Sequence, residues 1–198
     1  KYNKMIDIAN FDEGNLNLKF EKTSNDTYLR GNKLISPIIN SYDVLENTIN
    51  LDLYSENLSL KSEIKVYEKL NEERNNYKFE YILPKIDIVK RFKNNTILNG
   101  DFLLKSNNFI RSYSTNILEK VNINNFIFNS NSKISDLGFY KNYDFVIKNV
   151  NSDSENSNNY EKDKDSYLSG LFQYNLSLPL VKENKNLLSI IKPKMALK

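Results

Sequence analysis

The sequence predicts an all-β fold, an antiparallel meander of about ten long strands forming part of a large transmembrane β-barrel. Three observations carry this expectation. Leu168, Gly170, Phe172, Tyr174, Leu176, Leu178 and Leu180 fall on one parity, and Ser169, Leu171, Gln173, Asn175, Ser177 and Pro179 on the other. Such alternation makes one side of a strand apolar and the other wet. Its length matters: soluble strands run roughly 5–6 residues, whereas a tilted membrane-spanning strand needs about 9–11. Composition agrees, with two Ala against thirty-three Asn, thirteen Tyr and eleven Phe. Ala favours helices, Asn favours turns, and aromatics favour strands. Polar, turn-forming clusters separate the alternating stretches throughout.

Taken in order, Tyr2 to Asn10 alternates weakly, and Leu16, Leu18 and Phe20 then face away from Asn15, Asn17 and Lys19. Thr23 to Asp26 reads as a turn, and between Tyr28 and Glu46 the pattern defines no element. Ile49, Leu51 and Leu53 alternate with Asn50, Asp52 and Tyr54; after a Ser55-Glu56-Asn57 turn, Leu58, Leu60, Ile64 and Val66 alternate with Ser59, Lys61, Glu63 and Lys65. Asn71 to Asn76 is a polar turn. Tyr77 to Arg91 is a strand whose apolar parity moves at Pro84, from Phe79, Tyr81 and Leu83 to Ile86 and Ile88, which predicts a bulge. Lys93 to Asn95 turns into Leu98, Gly100, Phe102 and Leu104; Ser106 to Ser114 reads as polar, and Ile117 to Asn129 as a strand. Phe139, Tyr143, Phe145 and Ile147 follow a turn near Ser130 to Asp136. Asn151 to Asp165 reads as a solvated, mobile loop. Lys182 to Asn186 is a turn before an unfinished strand from Ile190 to Lys198.

From Ser55 onward, short connections near Glu56, Asn94 and Ser132 are expected to alternate with longer ones near Glu72, Ser112 and Asn156, as in outer-membrane barrels. The short side would be periplasmic. Tyr77, Phe92, Tyr140 and Tyr167 lie near strand ends, where aromatic girdles belong. The chain opens Lys-Tyr-Asn-Lys and stops in mid-pattern, so residues 1–198 read as one partial outer-membrane barrel domain of a longer protein, with strand register within 1–46 left open.

No run of eighteen apolar residues would make a transmembrane helix. The net charge of +3 is spread without a basic block, giving no support for nucleic-acid binding. Cys and His are both absent, which removes disulfides, thiolate ligands and the commonest general base. Glu72-Glu73 and Asp163/Asp165 are carboxylate pairs of the kind glycosidases use, but Lys or Arg beside each makes a solvated turn the better reading. Asp153, Glu155, Glu161, Asp163 and Asp165 offer oxygens to Ca²⁺ without the spacing of an EF-hand. Non-enzymatic function is expected, with no catalytic, cofactor-binding or metal residues. Alternation alone leaves Lys61, Glu63, Lys65, Lys85, Asp87, Asp101 and Lys148 open between a soluble sheet's outer face and a barrel lumen.

Tyr81-Ile82-Leu83-Pro84-Lys85-Ile86, Leu98-Asn99-Gly100-Asp101-Phe102, Arg111 to Asn116 leading into Val121 to Asn124, Asn142-Tyr143-Asp144 with Lys148-Asn149, and Leu176 to Leu180 with Lys192-Pro193-Lys194 carry a resemblance. Their order and spacing resemble the barrel of the LPS-assembly protein (LptD, organic solvent tolerance protein) family, over roughly Asn47 to Lys198. The resemblance implies a protein of the Gram-negative cell outer membrane. It would insert lipopolysaccharide into the outer leaflet, with a plug lipoprotein (LptE-like), periplasmic lipopolysaccharide-bridge proteins and outer-membrane lipids as partners. The disulfides of some members have no counterpart here. On this reading Leu51, Leu60, Ile64, Phe102, Phe145, Phe172, Leu176 and Leu178 face lipid, and Lys61, Glu63, Asp101, Asp144, Gln173 and Asn175 line the lumen. A passive porin-like barrel and a soluble β-sandwich binding module for carbohydrate or adhesion are the alternatives.

Overall fold

The computed structural model describes residues 1–71, 78–93, 99–113, 116–184, 187–191 and 193–197. These residues are all-β apart from one helical turn. In order come β1 (Tyr2–Met5), β2 (Glu13–Lys19), α1 (Tyr28–Gly31), β3 (Val44–Ser55), β4 (Leu58–Lys69), β5 (Phe79–Lys93), β6 (Gly100–Tyr113) and β7 (Ile117–Ser130). Then follow β8 (Lys133–Ile134), β9 (Tyr140–Glu155), β10 (Asp163–Ser177), β11 (Leu180–Asn184), β12 (Leu187–Ile191) and β13 (Lys194–Leu197). One open antiparallel sheet runs β1-β2-β3-β4-β5-β6-β7-β9-β10-β13, with β8 on β9 and β11-β12 as a separate hairpin. Strands of 12 to 16 residues make up its middle.

Contacts divide the chain into two compact units, Lys1–Lys90 with Lys105–Asn124 and Val150–Tyr167, and Arg91–Leu104 with Asn125–Asn149 and Leu168–Lys198. In the first unit, Leu16 pairs with Leu51, Leu18 with Ile49 and Gly14 with Leu53. Across the next ladders, Leu53 pairs with Leu60, Ile49 with Ile64 and Leu60 with Ile88. Directly opposed residues share a side, so this side is apolar. The other carries Asn17↔Asn50↔Glu63↔Lys85 and Asn15↔Asp52↔Lys61↔Asp87.

Pro84 is where β5 gains one residue. Glu63 faces Lys85 and Lys65 faces Ile82, so Ile64 alone opposes Leu83 and Pro84. Proline has no N–H for the ladder, and the extra residue of a bulge goes unpaired. The bulge keeps Tyr81, Ile86 and Ile88 on one side despite their mixed parity, as the sequence pattern implied.

Two irregular segments cover the ends of β3. Leu29 of α1 packs with Leu45 and Leu70 into a small buried cluster. At the other end Ile6 donates its N–H to the Gly14 carbonyl at 3.0 Å. A Cβ on Gly14 would stand 2.5 Å from the Ile6 carbonyl oxygen, so only glycine admits this approach.

In the second unit, Phe126 and Phe128 of β7 flank Phe102 of β6, with centroids at 5.4 and 4.5 Å. Tyr143 of β9 follows Phe128 at 5.5 Å, and Phe172 of β10 follows Tyr143 at 6.5 Å. The row crosses four neighbouring strands, and its offset, tilted ring pairs are the preferred geometry.

Several boundaries differ from the sequence reading. Ser106 to Ser114 was expected as a polar interlude, but β6 runs unbroken to Tyr113 because its amides pair across strands. Asn151 to Asp165 was expected as a mobile loop; Asn151 to Glu155 completes β9, Asp163 opens β10, and only 156–162 connects them. The alternation expected through Leu180 stops at Ser177, since Pro179 cannot donate to a ladder. Lys182 to Asn184 lie within β11 rather than in a turn. Nor do short and long connections alternate: β7 begins just after residues 114–116, where a long loop was expected. The expected features at Glu72-Glu73, Tyr77, Asn94-Asn95 and Leu98 lie outside the described residues.

Candidate functional surfaces

The first unit presents a face of alternating charge. The Lys65 ammonium lies 3.2 Å from Glu63 and 3.9 Å from Glu46. Lys61 stands between Asp52 and Asp87 in the ladder, over the Tyr54 ring at 5.7 Å. Asn107 donates to the Asp87 carboxylate. Arg111 Nε donates to Glu80 at 2.8 Å, and its Nη1 lies 3.8 Å from Glu119 while the guanidinium sits 4.4 Å from the Tyr113 ring centroid. Cross-strand pairs of opposite charge contribute about 0.2–1 kcal/mol each. Together they keep the face ionic yet nearly neutral. A cavity of about 630 Å³ opens here, bordered by Tyr67, Lys69, Lys85, Glu80 and Arg111.

Glu119 is the buried member of this face, its side chain 1% exposed. Its carboxylate accepts from the Tyr113 hydroxyl at 3.1 Å, the Ser157 hydroxyl at 2.7 Å and the Asn159 amide at 3.2 Å. Buried carboxylates persist only when bonded in this way.

On the opposite side, the same unit carries a band of amides. Ser106 donates to Asn124 at 2.7 Å, Asn108 to Ser106 at 3.0 Å, and Asn122 to Asn108. Asn151 donates to Asn122 at 3.1 Å and Ser166 to Asn151 at 2.8 Å. The chain of bonds crosses β6, β7, β9 and β10. Beside it lies a groove of about 530 Å³.

In the second unit, Asn175 donates to Asp144 at 3.2 Å and Gln173 to Asn175 at 2.7 Å, on the side away from Tyr143 and Phe172. The sequence-derived faces therefore group as expected within each unit. Leu51, Leu60 and Ile64 oppose Lys61 and Glu63, while Phe102, Phe145, Phe172 and Leu176 oppose Asp101, Asp144, Gln173 and Asn175. Leu178 follows the end of β10. Sequence reasoning missed the Glu80–Arg111–Glu119 group and the amide band. The equal parity of Ser106, Asn108, Asn122 and Asn124 was the available signal.

No three of the Asp, Glu, His or Cys side chains gather to hold a metal among the described residues. Asp153, one of the carboxylates weighed and set aside as a Ca²⁺ ligand, pairs with Lys120 at 3.3 Å. No helix among the described residues is long and apolar enough to cross a membrane. A search against protein-family models finds no match to this chain, and a search of curated proteins finds none.

Proposed function

We propose that the chain is a section of the wall of an outer-membrane β-barrel, and that this barrel inserts lipopolysaccharide into the outer leaflet without covalent chemistry. The observation that carries the barrel reading is apolar surface left uncovered on long strands. Ile49, Ile64 and Tyr81 are 37–39% exposed, Phe172 54% and Leu168 70%. The buried apolar residues among those described are only Leu29, Leu45, Leu53, Leu70, Val121 and Phe128. A soluble β-sandwich would bury one face of such strands against a second sheet. Hydrocarbon outside and water inside suit one apolar and one ionic face equally well. The aromatic row through Phe102, Phe128, Tyr143 and Phe172 has the form of an interfacial girdle. The amide band lies mid-strand on the same side, and its amides satisfy one another across β6, β7 and β9.

The choice of lipopolysaccharide as cargo rests on the sequence resemblance and on an ionic face able to meet a charged, sugar-bearing headgroup. Fractionation of the full-length protein, with heated and unheated forms compared on a gel, tests the barrel. Recovery in the outer membrane with a mobility shift is the expected result; a soluble monomer of constant mobility would promote the binding module. Photo-crosslinkers at Glu63 and Asn175 then test the cargo. Labelled lipopolysaccharide is expected, and its absence in a well-formed barrel would leave a passive porin.

A further inference from the structure

The connection between β9 and β10 is polar in every residue but Tyr160, yet it is fastened at three points. Asn156, at φ 55°, donates its amide to the Asn116 carbonyl at 2.8 Å. Ser157 and Asn159 donate to the Glu119 carboxylate at 2.7 and 3.2 Å. Ser154, 1% exposed, donates its hydroxyl to the Glu161 carbonyl at 2.6 Å. Glu119 shares its side of the sheet with Arg111 and Tyr113, so the connection folds over the ionic face instead of extending from the strand ends. Val121, two residues further along that side, is also buried. Hydrophobic burial cannot hold a segment of this composition in place. The carboxylate does.

We propose that residues 156–162 form an inward-folded constriction latched by Glu119, which narrows the aqueous path for hydrophilic solutes along the ionic face. This rests on the barrel reading above. The neighbouring charges, Arg111 and Glu80, remain paired whether the latch is closed or open, so the connection can swing without leaving a second charge stranded. Glu119 acts here as a positioning residue for the segment above it.

Residues 1–198 contain no cysteine, so Tyr160→Cys introduces the one reporter thiol among them at a half-buried position, any cysteine elsewhere in the full-length protein being replaced by serine. Full-length protein carrying it is reconstituted in liposomes, and both thiol modification and passage of small sugars are timed. Adding Glu119→Gln, or Ser157→Ala with Asn159→Ala, removes the latch from either side. Losing hydrogen bonds to a charged group raises the open population about tenfold or more, and modification and sugar passage are expected to rise together. The double alanine variant leaves the sheet intact, so it decides the matter if Glu119→Gln fails to assemble. Unchanged modification in the double variant overturns the latch. Faster modification with unchanged sugar passage overturns the constriction. A parent protein that forms no heat-modifiable barrel overturns the barrel reading and the constriction with it, while modification in solution still reads the latch.

Discussion

Gly100 and Phe128 are fitted to each other: a Cβ added at Gly100 would stand 2.6 Å from Cζ of the Phe128 ring. Phe128 is 4% exposed and joins Phe102 to Tyr143 in the aromatic row. The same Cβ would stand 2.8 Å from Ser130 Cα and still nearer the Asn129 carbonyl oxygen, so Gly100→Ala must shift the β7 backbone as well as the ring, an overpacking cost of about 1–3 kcal/mol. Phe128→Ala removes the ring and should cost about 3–5 kcal/mol. Urea midpoints at constant m-value would check both, and a neutral Gly100→Ala would show that β6 and β7 separate freely at this point.

Leu168 and Ser169 are neighbours in sequence, opposite in side and close to the middle of β10. An Arg on a lipid-facing position near the midplane costs about 2–4 kcal/mol, and far less in a lumen. Leu168→Arg should therefore abolish assembly, whereas Ser169→Arg should assemble. Equal loss of heat-modifiable mobility in the two variants would refute the assignment of sides.

Arg111 serves two carboxylates, Glu80 and Glu119. Arg111→Met leaves the Glu80 carboxylate without its 2.8 Å donor and Glu119 without a cation. Hydrogen bonds to charged groups contribute about 1.5–3 kcal/mol, and a loss of that size is expected in chemical denaturation. Combining Arg111→Met with Glu80→Gln should recover part of it, because the unpaired charge is then gone.

Lys78, 8% exposed, donates to Asp26 at 2.9 Å and lies 3.3 Å from Glu68. The Asp26 bond chiefly, with Glu68 in support, lifts its ammonium above the ordinary value of 10.5 against the opposing effect of burial. A raised pKa in the folded state stabilises the protein fully below the unfolded value, and this contribution is lost as pH rises through the folded one. Asp26→Asn should thus shift alkaline unfolding to lower pH, while the profile near neutrality keeps its shape. Because Asp26 is 45% exposed, the neutral-pH loss should stay below about 1 kcal/mol.

Much of this architecture was legible because strand periodicity is local. Leu51, Leu53 and Leu60 announce their side without reference to any partner, and the parity change at Pro84 located a bulge that the register between β4 and β5 displays. What stayed hidden depends on neighbours distant in sequence. Ser106 and Asn108 look like loop residues until Asn122 and Asn124 are placed beside them. Residues 156–162 look solvated until Glu119, far back in β7, is seen beneath them. α1 and its Leu29–Leu45–Leu70 cluster escaped for the same reason, since no period marks a single helical turn.

The meander also sets an order of events. Nearly every strand pairs with the one that follows it in the chain, and the tight turn at Glu56-Asn57 joins the twelve matched residues of β3 and β4. Little loop-closure entropy opposes each pairing, so hairpins can zip one after another as the chain is delivered. Until its apolar side meets its final surroundings, every added hairpin lengthens a sticky, unshielded edge. Assembly speed and escort by a holding chaperone, more than folded-state stability, would then govern how much of the protein survives its own synthesis.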